Sequence, residues 1–113
     1  MGGEHDLMTS LILELRRGTL ILSVLSQLKD KTYGYALVQT LTEKGIAIDA
    51  GTLYPLLRRL ESQGLLISQW DTAETKPRKY YRRTPYGDMV YGQLKDQWIK
   101  IAADMERLMK EEA

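Results

Sequence analysis

A chain of 113 residues has room for one domain, or one domain with an appended helix. With no cysteine and a single histidine, His5, it excludes disulfides, thiol nucleophiles and cysteine or histidine-rich metal sites, and it leaves a Ser-His triad without support. The net charge of +1 hides an uneven distribution: residues 1–30 carry −1, residues 31–84 carry +4 and residues 85–113 carry −2.

Leu7 to Leu28 reads as a long helix with two apolar stripes, one through Leu7, Leu11, Leu15, Leu22 and Leu25, the other through Met8, Ile12, Leu20, Val24 and Leu28. Two stripes on one helix suggest two packing partners. Gly18 sits inside it, costs about 1 kcal/mol against alanine and allows a bend. Lys29 to Thr32 is a short polar connection. A second helix spans Gly34 to Lys44, with Leu37, Val38 and Leu41 as its buried stripe and Gly45 as its stop. Asp49 caps a third helix over 50–63, where Leu53, Leu56, Leu57 and Leu60 share a face. Its Pro55 falls in the first turns, where a missing N–H is tolerated.

Leu65 to Trp70 and Arg78 to Thr84 read as the strands of a hairpin, joined by the polar turn Asp71 to Pro77. Thr84-Pro85 is a cap followed by proline at the first helical position, and the last helix runs from Pro85 to Lys110. Gly87, Tyr91, Leu94, Trp98, Ile101, Met105 and Leu108 form a heptad seam along it. At 1.5 Å per residue this helix spans roughly 39 Å, longer than a core of this size can cover. Part of the seam is therefore expected to meet a second copy of the chain.

The order helix–helix–helix–hairpin is that of a winged helix, in which the third helix enters the major groove of DNA. The expected class is mainly α (α+β), a winged helix-turn-helix over residues 1–84 followed by a long C-terminal dimerisation helix over 85–113. The charges fit that arrangement. Lys76, Arg78, Lys79, Arg82 and Arg83 bring five positive charges into eight residues without an acid, which reads either as a solvated turn or as a phosphate-contacting element. The third helix has no acid before Glu61. Gly51 leaves its N-terminus open to close approach, Thr52 and Tyr54 supply hydroxyls, and Arg58 can reach a guanine edge or a phosphate.

Four stretches carry a resemblance: Tyr33-Gly34-Tyr35-Ala36-Leu37, the run from Gly51-Thr52-Leu53-Tyr54-Pro55 to Glu61, Gly64-Leu65-Leu66, and the run Arg78 to Thr84. Together they resemble the PadR family of bacterial transcriptional regulators, and the single C-terminal helix resembles its smaller subgroup. The resemblance implies a homodimer that represses transcription from a palindromic operator in double-stranded DNA. It implies DNA contacts from Tyr35, Gly51, Thr52, Tyr54, Pro55 and Arg58 on the helices and from Lys76, Arg78 and Lys79 on the wing. Packing between helices is the alternative role for Tyr35 and Tyr54. Of the adjacent Tyr80 and Tyr81, one must point inward, and Tyr81 is the expected one. Arg83 departs from the family, which usually has an apolar residue there; it shares a strand face with Tyr81, is therefore expected to point toward the core, and could snorkel at the strand end.

Trp98 resembles the tryptophan that multidrug-binding members of the family place at the dimer centre, where flat aromatic compounds stack. Leu15, Thr19 and Ile101 could line the same space, and plain dimer core is the alternative role for Trp98. Those members carry an acid one turn later, where this chain has Ala102. Trp70 is expected to be structural. The functional expectation is a repressor released by a flat aromatic or drug-like ligand, the alternative being a winged-helix protein-interaction module that does not bind DNA. No enzymatic activity, metal or cofactor is expected. With no basic-then-apolar leader and no apolar run long enough for a bilayer, the expected location is the bacterial cytoplasm, associated with the nucleoid through DNA.

Overall fold

The computed structural model describes residues 2–112, and the side chains of Glu4 and His5, the sole histidine, lie outside the described ones. Five helices and three strands follow in order: α1 Gly2–Arg17, α2 Leu20–Ser26, β1 Thr32–Tyr33, α3 Gly34–Glu43, α4 Ala50–Ser62, β2 Leu66–Asp71, β3 Arg78–Arg83 and α5 Pro85–Lys110. The result is mainly helical with one small antiparallel sheet, as the sequence indicates.

Two expectations need correction. The single helix over 7–28 is two helices, because the chain turns at Gly18-Thr19. The Thr19 hydroxyl donates to the Arg16 carbonyl at 2.8 Å and the Thr19 amide donates to the same oxygen at 2.9 Å. That turn satisfies the Arg16 carbonyl near the end of α1 and separates the two helices. The polar connection before α3 is the second correction. Its last residue, Thr32, joins Tyr33 as a third strand, paired antiparallel to β3 in the register Thr32↔Tyr81 and Tyr33↔Tyr80. The sheet order is therefore β1-β3-β2, with the hairpin register running from Leu66↔Arg83 to Asp71↔Arg78.

The remaining boundaries follow from local chemistry. Asp49 accepts from the Thr52 amide at 2.8 Å and caps α4. Gly45 and Gly64 adopt φ of +88° and +80°, and the following amides of Ile46 and Leu65 return to Leu41 and Leu60 carbonyls at 2.8 and 3.0 Å. Those are helix stops that only a residue without Cβ makes at low cost. Thr84 joins two elements: its hydroxyl donates to the Gly64 carbonyl at 2.7 Å and accepts from the Gly87 amide at 2.9 Å.

The core is a leucine cluster drawn from every part of the body: Val24, Leu25 and Leu28; Leu37 and Leu41; Leu53, Leu57 and Leu60; Leu65 and Leu66; and Tyr81. Tyr81 is inward, as β-strand alternation requires. Tyr91, Leu94 and Val90 of α5 pack against this cluster, whereas Trp98, Ile101, Met105 and Leu108 further along are exposed. The heptad seam thus divides into an intramolecular half and an uncovered half. On α1, Leu7, Met8, Leu11, Ile12, Leu13 and Leu15 are exposed as well. The radius of gyration, 16.9 Å, exceeds the roughly 13 Å of a compact chain of this length, because both helices extend past the core.

Arg83 fastens the body together. Its side chain is only 9% exposed. Nη1 donates to the Leu25 carbonyl at 2.7 Å, Nε donates to Asp88 at 2.8 Å, and the guanidinium lies 4.4 Å from the centre of the Tyr91 ring. Its backbone amide donates to the Leu28 carbonyl at 2.7 Å. One residue of β3 therefore holds the end of α2 and the start of α5. The contact between Gly87 and the Leu65 carbonyl is equally close: a Cβ there would sit well inside van der Waals distance of that oxygen. Arg83→Leu, which keeps apolar bulk but abandons the Leu25 carbonyl and Asp88, is expected to lower unfolding stability by about 2–3 kcal/mol. Asp88→Asn, at the exposed end of the pair, is expected to cost under about 1 kcal/mol. Urea denaturation of the two variants measures the difference.

Candidate nucleic-acid interface

The sheet and α4 form the two walls of one concave surface. Six of the nine sequence-predicted DNA residues line it: Tyr35, Tyr54, Arg58, Lys76, Arg78 and Lys79. The cleft has a volume of about 640 Å³. The other three, Gly51, Thr52 and Pro55, lie on the exposed face of α4, and Thr52 lines a different groove at the start of that helix. The N-terminal half of α4 and the wing thus present their polar groups on the surface, while Leu53, Leu57 and Leu60 hold the helix from behind.

Each side chain of the cleft has an identifiable support. Tyr54 is half-buried, and its ring lies against the backbone of Gly34, where a Cβ would come within 2.6 Å of the ring. Gly34 is therefore the residue that lets α4 approach the start of α3. Packing and surface presentation are both served by Tyr54. Tyr35 is exposed and stacks on Tyr33 with ring centres 5.8 Å apart, and its hydroxyl accepts from Arg78 Nη1 at 3.1 Å. Arg78 also pairs with Glu74 in the wing loop. That carboxylate strengthens the protonated form of the guanidinium, and the Tyr35 oxygen adds to the effect. Lys79 points to the opposite strand face, between the Trp70 and Tyr81 rings at 5.8 and 5.5 Å, with Glu61 at 3.9 Å. Lys76 and Arg58 have no carboxylate partner among the described residues. Arg82, left undecided by the sequence, is exposed on the outer strand face.

Trp70 corrects an expectation. Expected to be structural, it is 59% exposed and lines the cleft with the cations. Its position at the hairpin end, paired with Lys79, was the available signal. Strand alternation from Leu66 puts Trp70 on the same face as Leu66, but the hairpin has by then left the body behind.

The end of the wing next to its loop is held by one polar bond that the sequence does not announce. The Tyr33 hydroxyl donates to Asp71 at 2.5 Å, joining the strand before α3 to the end of β2. The bond to Asp71 raises the Tyr33 hydroxyl above its ordinary value near 10, and desolvation adds to it. The same bond, with a second from the Ala73 amide, lowers the Asp71 carboxyl.

The proposed ligand residues are not assembled within one chain. Trp98 is 46% exposed and Ile101 is exposed on the uncovered half of α5. Leu15 is 79% exposed on α1. Thr19 lines a groove of about 740 Å³ at the α1–α2 turn, which neither Trp98 nor Ile101 lines.

The comparisons agree with this architecture. Residues 21–93 match the model of the transcriptional regulator PadR-like family. The chain belongs to the PadR-like family. A PadR family transcriptional regulator from Eggerthella lenta is 51% identical in sequence, with a TM-score of 0.91 over 96% of this chain and 97% of that one. A transcriptional regulator from Clostridium thermocellum superposes with a TM-score of 0.75 at 31% identity, covering 83% of this chain and 96% of its own. The transcriptional regulator Rv3488 of Mycobacterium tuberculosis is 39% identical over 75 residues, which is 66% of this chain and 70% of that protein. This PadR-like chain is thus a transcriptional regulator by family, and its relatives are regulators rather than enzymes. No helix among its described residues is long and apolar enough to cross a membrane.

The Tyr33–Asp71 bond has a defined pH window. Asp71 is depressed, so its contribution to stability is present above the unfolded carboxylate value and is lost as pH falls through the lower folded one. Tyr33 is raised, so its contribution is present below about pH 10 and is lost as pH rises through the higher folded value. Tyr33→Phe should therefore be less stable than the native chain at neutral pH, with the difference vanishing at both extremes. In an ultraviolet titration of the native fold, the same substitution should remove a high-titrating tyrosine.

Proposed function

We propose that the chain works as a homodimeric repressor. Residues 1–84 form the DNA-reading unit and 85–113 the association helix, and the dimer binds a palindromic operator. The observation that carries this reading is the single cleft in which α4 and the wing present Tyr54 and Arg58 beside Lys76, Arg78 and Lys79. In that reading α4 lies in the major groove, with Arg58 at a base edge or phosphate and Gly51, Thr52, Tyr54 and Pro55 along its leading face. The wing lies along the flanking backbone. Tyr35 and the newly exposed Trp70 pack on sugars and phosphates between them. The two uncovered apolar faces, on α1 and on the second half of α5, favour association through those helices.

A flat aromatic or drug-like compound between paired Trp98 side chains would be the releasing ligand. Leu15, Thr19 and Ile101 from the two chains would line its site. Aromatic stacking selects flatness more than hydrogen-bond pattern. With Ala102 in place of an acid, nothing at that position favours cations. Such a ligand acts by binding the DNA-incompetent arrangement more tightly; a 100-fold preference corresponds to about 2.7 kcal/mol of coupling.

DNA binding is tested with an operator selected from a random-sequence library. A dimer making about 8–10 phosphate contacts should show a log–log salt slope near −7 to −9, and the Lys76/Arg78/Lys79 triple alanine variant should flatten it by up to about 5. An unchanged slope would remove the wing from the interface, and no duplex binding at all would favour a protein-interaction module. The ligand is tested by quenching of tryptophan fluorescence with a panel of flat aromatic compounds. Saturable quenching should persist in Trp70→Ala and be lost in Trp98→Ala; its absence from the native chain would leave Trp98 as interface packing.

A further inference from the structure

The wing's central cation already has an anion. Glu74, in the loop of the same hairpin, pairs with Arg78 through Nη2, while Nη1 is occupied by the Tyr35 hydroxyl at 3.1 Å. The guanidinium lies 5.6 and 5.9 Å from the ring centres of Tyr33 and Tyr35. Both terminal nitrogens are thus engaged inside the chain. The Glu74 side chain is 64% exposed. The carboxylate beside Lys79 differs: Glu61 accepts a hydrogen bond from Ser68, which anchors it in the body. Glu74 has no hydrogen-bond partner besides Arg78 among the described residues.

From this arrangement we infer that Glu74 is a positioning residue for DNA recognition, an internal stand-in for phosphate that holds Arg78 until a correctly docked duplex replaces it. The inference rests on the DNA-binding reading of the cleft. An exposed carboxylate four residues away is a modest competitor, but it is always present. A loosely held, non-specific duplex brings no phosphate to a fixed place beside the wing. Arg78 then stays on Glu74 and adds no phosphate contact of its own. When α4 seats in its own site, the backbone is carried to the wing, and Arg78 exchanges one anion for another. Glu74 therefore weakens the binding of any duplex whose phosphate must displace it from Arg78, the operator included, by up to the strength of the pair in each wing, and it tunes affinity without touching a base.

The test needs no operator. Binding of the full chain to a 30-bp duplex of arbitrary sequence is followed by fluorescence anisotropy between about 50 and 200 mM salt, a range in which phosphate contacts are resolved by slope. Glu74→Gln should bind roughly 3- to 20-fold more tightly at the low-salt end, for two wings each losing one exposed pair. Its slope should steepen by up to about 2, one phosphate per wing. In an Arg78→Gln background the same substitution should have no effect, because the competitor acts only through Arg78. Equal affinity and slope for the native chain and Glu74→Gln would overturn the inference. So would a gain that persists without Arg78, since that is general repulsion of DNA by an acid. If neither protein binds any duplex, the DNA-binding reading itself falls and the inference with it. A native chain that binds while Glu74→Gln matches it leaves the reading standing and removes only Glu74.

Discussion

Arg83 holds three elements in one orientation. Its strand belongs to the wing, its Nη1 occupies a carbonyl in the last turn of α2, and its Nε and ring contact fix the first turns of α5. A guanidinium this enclosed is costly unless its donors are used, and the fork geometry lets one side chain serve a carbonyl and a carboxylate at once. The backbone amide adds a further bond to Leu28. With Thr84 tied to Gly64 and Gly87 pressed on the Leu65 carbonyl, the start of α5 has no freedom to pivot about the body. The leucine core provides the driving force for collapse; these few polar and steric contacts fix the direction in which α5 leaves.

That direction divides the last helix. Its first turns complete the core through Val90, Tyr91 and Leu94, and its later turns carry Trp98, Ile101, Met105 and Leu108 into solvent. One heptad pattern serves both halves because the side-chain requirement is the same on either side of the division: an apolar residue about every 3.5 residues along one face. Sequence periodicity detects the stripe but does not say what covers each part of it. On α1 the uncovered apolar face lies on the far side of the Gly18-Thr19 turn, where the body no longer reaches.

Much of the architecture was legible. α5 begins and ends at the expected residues, and α4 and the hairpin strands fall within a residue of their expected bounds, because Asp49, Gly64 and Thr84-Pro85 are local signals that act through their own backbone. Tyr81 could be turned inward from strand alternation alone. The misses share a physical cause, which is dependence on distant partners. Two residues make β1 a strand only because β3 offers them hydrogen bonds, and no pattern of two residues can announce that. The stripes of 7–28 continue through Gly18 as though the helix did, although the backbone turns there. Trp70 reads as a structural residue from its place at the strand end, whereas the hairpin carries it beyond the body, where it is exposed. Arg83, which could have snorkelled at the strand end, instead found a carbonyl to bind. In the candidate site the residue types were visible, but their mutual support was not: the Gly34 seat for Tyr54, the Tyr35 contact with Arg78 and the Tyr33–Asp71 bond all join positions far apart in sequence.

Tyr33 is at once the last residue of β1 and the residue that precedes α3, so the sheet and the helix pair meet without an intervening loop. The same residue reaches across to Asp71 at the far end of β2. The gap between α4 and the wing is consequently set like the jaws of a fixed-gauge caliper. Such a tool does not adjust its opening to the object. In the dimer proposed above, adjustment to DNA of different pitch or bend would come from the placement of the two copies relative to one another, about the solvent-facing length of α5.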